Sequence, residues 1–502
     1  MELHRLVATS VAVAATRSRL EKRRLLAEAL NAADPADVEV VATFLAGGIR
    51  QRRTGVGWRT LASLPAPALE PTLTAAALDD ALARLAELAG PGSQEERTRA
   101  VRALFGAATA AEQEWIRGLI SGELRQGALD SLLLEAIAEA AALPVALVRR
   151  AAMFSAPTGP VAAAALTGGR EALAGFRLAV GRPVRPMLAA SAPDVDGALA
   201  GVSGEVAVDG KIDGIRVQVH RTGQDVAVFT RSLDDITDRL PELVELVLGL
   251  DVSAVVLDGE ALALGPDGRP RPFQETGARA MSRDDTLREA VPLTPLFFDV
   301  LHLDGRDLID EPARTRFEAL AAVVPEAARA PRVITSEPAV AHEFFAQMIG
   351  LGHEGVVMKD LAAPYDAGRR GSGWVKVKPR HTLDLVVLAV EWGSGRRRGL
   401  LSNIHLGARD GDGFTMLGKT FKGMTDEMLA WQTGRFLGLE VRREGHVVHL
   451  RPEQVVEVAF DGVQRSSRYP GGVALRFARV LRYRDDKTPA EADTLESVRA
   501  LA

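Results

Sequence analysis

The chain has 502 residues, of which 47% are hydrophobic, and this length and apolar content predict about three domains with cores of their own. Its formal net charge of −5 gives no overall sign of nucleic-acid binding, so that function has to be argued from local clusters of basic residues. The sequence contains no cysteine, which excludes disulfides, thiolate zinc sites, iron–sulfur clusters and a cysteine nucleophile.

The first part of the chain, to about Leu178, is predicted to be all-helical. Its apolar residues recur at spacings of three and four, and six prolines between residues 35 and 144 divide it into several helices. The apolar stretch Leu6–Ala15 has features of a secretory signal, but Thr16–Leu30 continues as a charged amphipathic helix without a break. We therefore interpret the stretch as part of the fold. Because no uncharged run approaches about 18 residues, we expect a soluble protein without membrane spans.

The segment GRPVRP, from Gly181 to Pro186, predicts a linker, since two prolines and a glycine suit neither helix nor strand. After it, alternating runs between glycine turns predict strands, and stretches with helical spacing lie among them, so this region is expected to mix α and β. The predicted strands are Glu205–Val208, Ile215–His220, Val226–Thr230, Val255–Leu257, Leu296–Val300, Gly355–Met358 and Val375–Val377. The predicted helices are Leu240–Leu248, Arg314–Val324 and Val340–Ile349.

From about Thr382 the chain returns to short strands and glycine turns, including Leu385–Val390, Asn403–Leu406 and Val455–Phe460. A segment of this length that is dominated by strands predicts a small β-barrel. We therefore expect a multidomain protein with an all-α domain over residues 1–180, an α+β domain over 187–380 and a β-barrel over 381–502.

Lysine is rare in this sequence: only eight of the 61 basic residues are lysines. A lysine that persists against this bias is expected where a primary amine is needed and guanidinium cannot replace it. Lys211 ends an alternating run and is followed by Ile-Asp-Gly-Ile-Arg, so a turn presents its amine beside a carboxylate and a guanidinium. It is either an exposed hairpin lysine or a nucleophile, and a nucleophilic amine needs neighbouring cations that lower its pKa.

Acidic residues stand at the edges of two further predicted strands, Glu260 in LDGE and Glu354 in EGVVMKD. Paired carboxylates of this kind are what Mg²⁺ requires, although each one alone is more often a solvated acid at a turn. The segment WVKVK then places Lys376 and Lys378 on one face of a strand.

Seven parts of the sequence resemble, in chain order, motifs I, Ia, III, IIIa, IV, V and VI of the covalent nucleotidyltransferases. They are KIDG with Arg216, Arg231, LDGE, FFDVLHLDG, EGVVMKD, WVKVK and RYRDDK. This superfamily contains ATP-dependent DNA ligases, RNA ligases and mRNA capping enzymes. The resemblance extends from about Val184 to Lys487. It implies that the middle domain is an adenylation (nucleotidyltransferase) domain and that the last domain is an OB-fold.

The resemblance also implies a role for each matching residue. Lys211 would be the nucleophile that ATP adenylylates, with Asp209 at the adenine edge and Phe298 stacked on the adenine face. Glu260 would hold the ribose or a metal, and Glu354 would bind the catalytic metal, Mg²⁺ or Mn²⁺. The remaining ATP-binding positions would be Arg216 and Arg231 at the ribose and the DNA 5′-phosphate, Lys376 and Lys378 at the α-phosphate, and Arg484, Asp486 and Lys487 at the pyrophosphate leaving group.

The helical region indicates which member of the superfamily this is. Thr16–Leu30 and Gly122–Ala140 are similar to parts of the helical DNA-binding domain that precedes the core of many cellular and archaeal DNA ligases, although Gly122–Ala140 also suits a plain helix-packing motif. Capping enzymes and most RNA ligases lack this domain, and the NAD-dependent bacterial ligases carry a cysteine zinc site. We therefore expect an ATP-dependent DNA ligase that seals 5′-phosphate/3′-hydroxyl nicks through a lysyl-AMP intermediate and an adenylylated DNA 5′-end.

Basic residues beside glycines are expected to contact DNA phosphates, because glycine allows close approach, although such turns are equally often only solvated. These positions are Arg125, Arg396, Arg397, Arg398, Lys419 and Lys422. The expected partner is nicked double-stranded DNA. We further expect a monomer that does not bind membranes and acts in the cytoplasm of a prokaryote, at the nucleoid.

Two other interpretations stay open at this point. An RNA ligase or a guanylyltransferase would share the core chemistry. A non-catalytic DNA-binding protein of the same ancestry is the alternative from a different class, but it would have little reason to keep Lys211, Glu260, Glu354 and Lys376 together. The sequence does not distinguish a role in replication, repair or end joining, and it identifies no protein partner.

Overall fold

The computed structural model describes residues 1–124, 126, 130–202, 204–368 and 370–501. The chain divides into two compact units, each built from several segments of the sequence. Unit 1 comprises Met1–Ala190, Glu205–Ile334 and Lys359–Val375, and unit 2 comprises Ser191–Gly204, Thr335–Met358 and Lys376–Ala502.

The first part of unit 1 is helical, as its apolar spacing predicts. Its described residues form ten helices: α1 (Leu3–Ala15), α2 (Arg19–Asn31), α3 (Val38–Leu45), α4 (Trp58–Leu61), α5 (Ala75–Glu87), α6 (Ser93–Gly106), α7 (Ala110–Ile120), α8 (Asp130–Ala140), α9 (Val145–Met153) and α10 (Gly159–Ala174). Their inward faces form one hydrophobic core, which includes the fully buried side chains of Leu6, Phe44 and Phe105.

The prediction of an unbroken helix from the apolar stretch into Thr16–Leu30 was wrong. The chain leaves the helical conformation after Ala15 and starts a new helix at Arg19. Ser18 caps this second helix, because its side chain accepts a hydrogen bond from the backbone N–H of Glu21. The N-cap bond satisfies a backbone donor that has no partner inside the helix, so the break is built into the local sequence.

The segment Gly181–Pro186 forms neither helix nor strand, and side chains hold it on both sides. Arg185 bonds to Asp130 and donates to the Thr158 hydroxyl at 2.9 Å. Val184 exchanges two hydrogen bonds with the side-chain amide of Gln218, at 2.7 and 3.0 Å. This stretch is therefore an ordered connection within unit 1.

The middle region alternates strands and helices, and every element predicted for it is present; β1, α11, α13, α14, β7 and β8 were not predicted. Its elements are β1 (Leu188–Ser191), α11 (Val195–Leu199), β2 (Val206–Lys211), β3 (Ile215–Thr222), β4 (Asp225–Thr230), α12 (Pro241–Leu248), β5 (Ala254–Ala263), α13 (Phe273–Met281), α14 (Asp285–Ala290), β6 (Leu293–Leu303), β7 (Arg306–Asp307), α15 (Ala313–Val323), β8 (Arg332–Thr335), α16 (Pro338–Gly350), β9 (Gly355–Asp360) and β10 (Arg370–Val377).

Two sheets organise the part of this region that belongs to unit 1. The first is antiparallel, in the order β4-β3-β5-β6-β7, and its core combines Val217 and Leu257 with Leu243 of α12 and Leu320 of α15. In the second sheet, β2 lies between β8 and the end of β9. The two sheets converge on the turn between β2 and β3, because these consecutive strands belong to different sheets.

The last part of unit 2 contains nine described strands: seven form a curled antiparallel sheet, and the other two pair in a small sheet of their own. Its described elements are β11 (His381–Trp392), β12 (Leu401–Asp410), β13 (Gly413–Thr420), α17 (Asp426–Gly438), β14 (Glu440–Glu444), β15 (Val447–Leu450), β16 (Val455–Phe460), β17 (Gly462–Arg465), β18 (Val473–Arg476), β19 (Arg479–Tyr483) and α18 (Leu495–Arg499). The long strand β11 pairs with β12 on one side and with β15 and then β16 on the other, which curls the sheet. The sequence did not predict α17, which buries Leu429 and Phe436.

Among the described residues, no helix has both the length and the apolar character needed to span a membrane.

Candidate active site

Lys211 is the last residue of β2 and the first of a tight turn into β3. The five residues before it are buried, whereas Lys211 itself is half-buried. Gly214 closes the turn, and a Cβ atom there would lie 2.5 Å from the carbonyl oxygen of Ala261 on β5. Only glycine therefore allows the turn to pass this close to β5, which explains the glycine of KIDG and gives the lysine a defined position.

Glu260 lies beside this turn, directly opposite Arg216 in the pairing of β3 with β5. Burial raises the pKa of Glu260 to about 7, although the positive charges of Arg216 and Lys211 act to lower it. The structure therefore brings together three of the residues predicted from the sequence, Lys211, Arg216 and Glu260. Their arrangement places a half-buried carboxylate beside two cations, and a bound metal ion would favour the ionised form of that carboxylate.

Arg216 is held by residues that the sequence did not single out. Its guanidinium donates two hydrogen bonds to Asp258, at 3.1 and 2.7 Å, and one to the carbonyl of Met187 at 2.6 Å. The Tyr365 hydroxyl donates to the same aspartate at 2.5 Å, and burial raises the pKa of Tyr365 well above its ordinary value, so it stays a donor. The rarity of tyrosine, which occurs only three times in the chain, was a usable signal for this residue.

Asp209, two residues before Lys211, sits in a buried ion-pair network. Arg332 of β8 donates to its two carboxylate oxygens at 2.5 and 2.7 Å, and the Lys359 ammonium lies 2.7 Å from one of them. Burial alone would raise the pKa of Asp209, but the charges of Arg332 and Lys359 outweigh it and hold the pKa below its usual value. Arg332 lies in none of the motifs, and no local pattern marked it as part of the site.

Phe298 and Trp374 form an aromatic corner around the Lys359 ammonium. The two rings meet edge to face with centroids 5.6 Å apart, and the Lys359 nitrogen lies 4.4 Å from each centroid. The guanidinium of Arg216 approaches the same rings at 5.5 and 5.6 Å. Cations over ring faces stabilise this pair of rings. Phe298 is therefore held in position, and because it is half-buried, part of its flat apolar ring remains accessible.

In unit 2, Lys378 follows the end of β10 and bonds to the Glu354 carboxylate at 3.0 Å and to Asp461 at 3.2 Å. Arg476 lies 3.8 Å from the same glutamate. Glu354 precedes Gly355, whose φ of +142° and close approach to the carbonyl of Val377 exclude a side chain. Glu354 and Lys378, both predicted from the sequence, thus form one charged cluster in this unit, and Lys376 lies two residues before Lys378 on β10.

The three predicted residues of the last motif form one cluster with Asp384 of β11. Arg484 bonds to Asp486 at 2.8 and 2.7 Å and lies 3.1 Å from Asp384, while Lys487 bonds to Asp384 at 2.6 Å. The hydrogen bonds from Arg484 keep the pKa of Asp486 below its usual range. This cluster confines two cations to one edge of the sheet, and its anchor Asp384 was not predicted.

The remaining predicted positions lie apart from these clusters. Arg231 is exposed just after β4, and Arg396 and Arg398 are in the β11–β12 loop, where Arg397 donates to the carbonyl of Phe421 at 2.8 Å. Lys419 pairs with Glu391 at 2.5 Å, and the Lys422 ammonium lies 5.3 Å from the exposed ring of Phe477. Arg125 lies outside the described residues.

The described part of the chain holds no preformed metal cage. Within the part of the chain that the structure describes, no group of three or more His, Asp or Glu side chains could hold a metal ion. A cavity of about 530 Å³ in unit 1 is lined by α15 and β8 and reaches Arg332, but it includes none of the sequence-predicted site residues.

Comparisons with known proteins identify the family. Three family models match: "DNA ligase N terminus" over residues 62–138, "ATP dependent DNA ligase domain" over 186–378 and "ATP dependent DNA ligase C terminal region" over 397–487. A relative from Beutenbergia cavernae, named "Probable DNA ligase", is 63% identical over 512 residues and covers all of both chains. A second with the same name, from Nocardioides, is 62% identical and covers 98% of this chain and 97% of its own.

The fold has a counterpart among solved structures. The structure named "Pmar-Lig_PreS3" aligns with 95% of this chain and 99% of its own at a TM-score of 0.63 and 17% identity. The predicted fold class is confirmed: a helical N-terminal region, a central adenylation domain and a C-terminal curled sheet of the OB type. The chain therefore belongs to the ATP-dependent DNA ligases, a family of ligase enzymes.

Proposed function

We propose that this protein seals nicks between a 5′-phosphate and a 3′-hydroxyl in duplex DNA, with ATP as the donor of AMP and Lys211 as the nucleophile. The observation that carries the proposal is the electrostatic interaction of Glu260 with both Lys211 and Arg216, beside a turn that only glycine can close. A lysine attacks phosphorus only as a neutral amine. Arginine is never a free base in proteins, so lysine is required at this position.

The proposed reaction has three steps. Lys211 attacks the α-phosphorus of ATP, forms a phosphorus–nitrogen bond and expels pyrophosphate. The AMP then passes from Lys211 to the 5′-phosphate at the nick. Finally the 3′-hydroxyl attacks that activated phosphate, the phosphodiester bond forms and AMP leaves. Lys376 and Lys378 would neutralise the α-phosphate, and Arg216 and Arg231 would contact the ribose and the DNA 5′-phosphate.

Phe298 and Asp209 are our candidates for binding the adenine. The half-buried Phe298 ring is held in place by the Lys359 ammonium over the ring and by an edge-to-face contact with Trp374. It therefore offers a rigid surface for stacking. Asp209 lies next to the backbone of Phe298, because one nitrogen of Arg332 bonds to both, at 2.7 and 2.8 Å. The two residues therefore belong to one rigid group on the side of unit 1 that carries Lys211.

We propose Glu260 and Glu354 as ligands for Mg²⁺ or Mn²⁺. Glu260 fits this role, because a half-buried carboxylate with a pKa of about 7 is stabilised in its ionised form by a bound cation. Glu354 already binds the ammonium of Lys378, so it is suited to positive charge. When bound, the metal would neutralise charge on phosphate oxygens.

The boundaries that we propose for the three domains are residues 1–180, 187–380 and 381–502. In the last of these, Arg396, Arg397, Arg398, Lys419 and Lys422 are the proposed contacts with DNA, and Arg125 is the proposed contact in the helical domain. The rings of Phe421 and Phe477, 55% and 57% exposed, lie beside Arg397 and Lys422 and support DNA contact here, since exposed aromatic and basic groups together suit nucleic acids. We further propose that the protein acts as a monomer in the cytoplasm.

A sealing assay tests the proposed function. A 5′-labelled nicked duplex should be joined in the presence of ATP and Mg²⁺, and joining should fail when NAD replaces ATP or EDTA removes the metal. One-nucleotide gaps and broken ends should be joined less efficiently than nicks, and a nick in RNA should not be joined. GTP in place of ATP should support much slower joining. Joining with NAD and not with ATP would contradict the proposal.

Replacement of Lys487 tests the role of the last motif. Lys487→Ala should slow protein–AMP formation on the order of a hundredfold, because a cation that stabilises the pyrophosphate leaving group acts in the first step. Joining of a nick that already carries AMP should change far less. Arg451→Ala is the matched control, since Arg451 lies outside the motif and pairs with Glu453 with 51% of its side chain exposed. Equal losses in both steps would contradict the assignment.

A further inference from the structure

The Asp209 carboxylate can accept one more hydrogen bond. An ionised carboxylate offers about four acceptor positions, two on each oxygen, and it has no proton to donate. Arg332 Nη2 and Lys359 Nζ both bond to Oδ2, at 2.7 Å each, whereas Oδ1 receives Arg332 Nε at 2.5 Å. Among the described contacts, these three bonds therefore leave one acceptor position open, and it lies on Oδ1.

Arg332 cannot readily turn away from this carboxylate. Its guanidinium lies over the Phe317 ring, 3.5 Å from the centroid, and it also donates to the carbonyl of Phe298 at 2.8 Å. A planar guanidinium bound through two parallel hydrogen bonds fixes the plane of the carboxylate as well as its charge. Lys359, which is 2% exposed, adds the second cation from the other strand that borders β2.

Other charges around the network do not disturb it. Besides Asp209, the Asp299 carboxylate of β6 interacts electrostatically with both Arg332 and Lys359. Arg316 binds Asp299 through two hydrogen bonds, at 2.8 and 3.1 Å, so that carboxylate has a cation of its own. Asp209 consequently keeps both of its partners.

From this geometry we infer that Arg332 is the residue that determines selection of adenine over guanine, by holding Asp209 as a fixed, acceptor-only group at the 6-position of the purine. Adenine carries an amino group there, which donates to the open position on Oδ1. Guanine carries a carbonyl oxygen, which would face an acceptor and leave both groups without a partner, and such a mismatch is strongly unfavourable in a buried site. Arg332 touches no reacting atom in this scheme and is a positioning residue.

The inference rests on the proposed function, and its test compares ATP with GTP in the first step. Protein–nucleotide formation is measured with α-labelled ATP and α-labelled GTP, and the ratio of the two kcat/KM values is determined. Arg332→Gln should reduce this ratio at least about tenfold, which corresponds to about 1.4 kcal/mol. Asp209→Asn should reduce it further, because an amide can also donate to the oxygen of guanine. Arg332→Lys should recover part of the ratio, since it keeps the charge and loses the two-point geometry.

Arg314→Gln is the matched control, because Arg314 forms an ion pair with Glu205 in which both side chains are about half exposed. It should leave the ratio unchanged. If Arg332 only stabilised the fold, the rates with ATP and GTP would fall together and the ratio would stay constant, and that outcome would overturn the inference. Failure of the wild-type protein to form any protein–AMP would instead refute the proposed function, so the two failures are distinguishable.

Discussion

Lys211→Ala should abolish formation of the covalent protein–AMP adduct. Alanine has no amine, and none of the other lysines is expected to replace one that ends β2 beside Arg216 and Glu260. The adduct is measured by incubation with α-labelled ATP, denaturing electrophoresis and counting of the protein band. We expect a loss of at least about a thousandfold, which is typical when a covalent nucleophile is removed.

The same variant should still join a nick whose 5′-end already carries AMP, because the last step needs no lysine nucleophile. This second measurement separates loss of the nucleophile from loss of the fold. Lys22→Ala is the matched control, since Lys22 lies on α2 and donates to the carbonyl of Gln126 at 3.0 Å. It should be labelled as strongly as the wild type. Persistence of the label in Lys211→Ala would refute the assignment of the nucleophile.

Asp299→Ala should cause a large loss of stability in unit 1. Asp299 and Arg316 form an ion pair whose two side chains are both 0% exposed, with hydrogen bonds of 2.8 and 3.1 Å. Removal of the carboxylate leaves a guanidinium charge buried without its counter-ion, which typically costs about 3–5 kcal/mol. The free energy of unfolding from urea titrations measures the effect.

Two further variants show whether the missing counter-ion is the cause. The double variant Asp299→Leu/Arg316→Met replaces both charges and should recover much of the lost free energy of unfolding. A protein with a buried ion pair and one with an apolar pair of similar volume often have similar stability. Glu205→Ala breaks the half-exposed pair with Arg314 and should cost less than about 1 kcal/mol. A loss below about 1 kcal/mol for Asp299→Ala would show that the pair is not important for the fold.

The sequence predicted secondary structure well where one short-range pattern dominates. The alternating runs around Lys211 correspond to β2, β3 and β4, and the middle helices start and end within a few residues of their predicted bounds. The sequence-based prediction was wrong at Ser18, where an N-cap hydrogen bond starts a new helix within a stretch of helical composition. It also missed α17, a helix that lies among strands. A single side-chain hydrogen bond or a tertiary contact decides these cases, and the average composition of a segment does not contain that information.

The candidate site divides in the same way. Its motifs are local: KIDG, LDGE and EGVVMKD each combine a strand end, a glycine turn and a charged residue, so Lys211, Glu260 and Glu354 can be picked out without a structure. The partners that orient the motif residues are distant in sequence. Arg332 is 123 positions from Asp209, and Tyr365 is 107 positions from Asp258. No spacing rule links such pairs, because only the order of the strands brings them together.

The sequence by itself determined the family, the class of the elements with a clear local pattern, and the lysine proposed as the nucleophile. Strand alternation, turn glycines and amine chemistry are properties of a few consecutive residues. The tertiary structure alone decided which charges neutralise one another: Asp209 with Arg332 and Lys359, Arg216 with Asp258, and Asp299 with Arg316. Burial makes each of these charges costly unless a partner lies within hydrogen-bond distance, and that distance is set by strands and helices that are far apart along the chain.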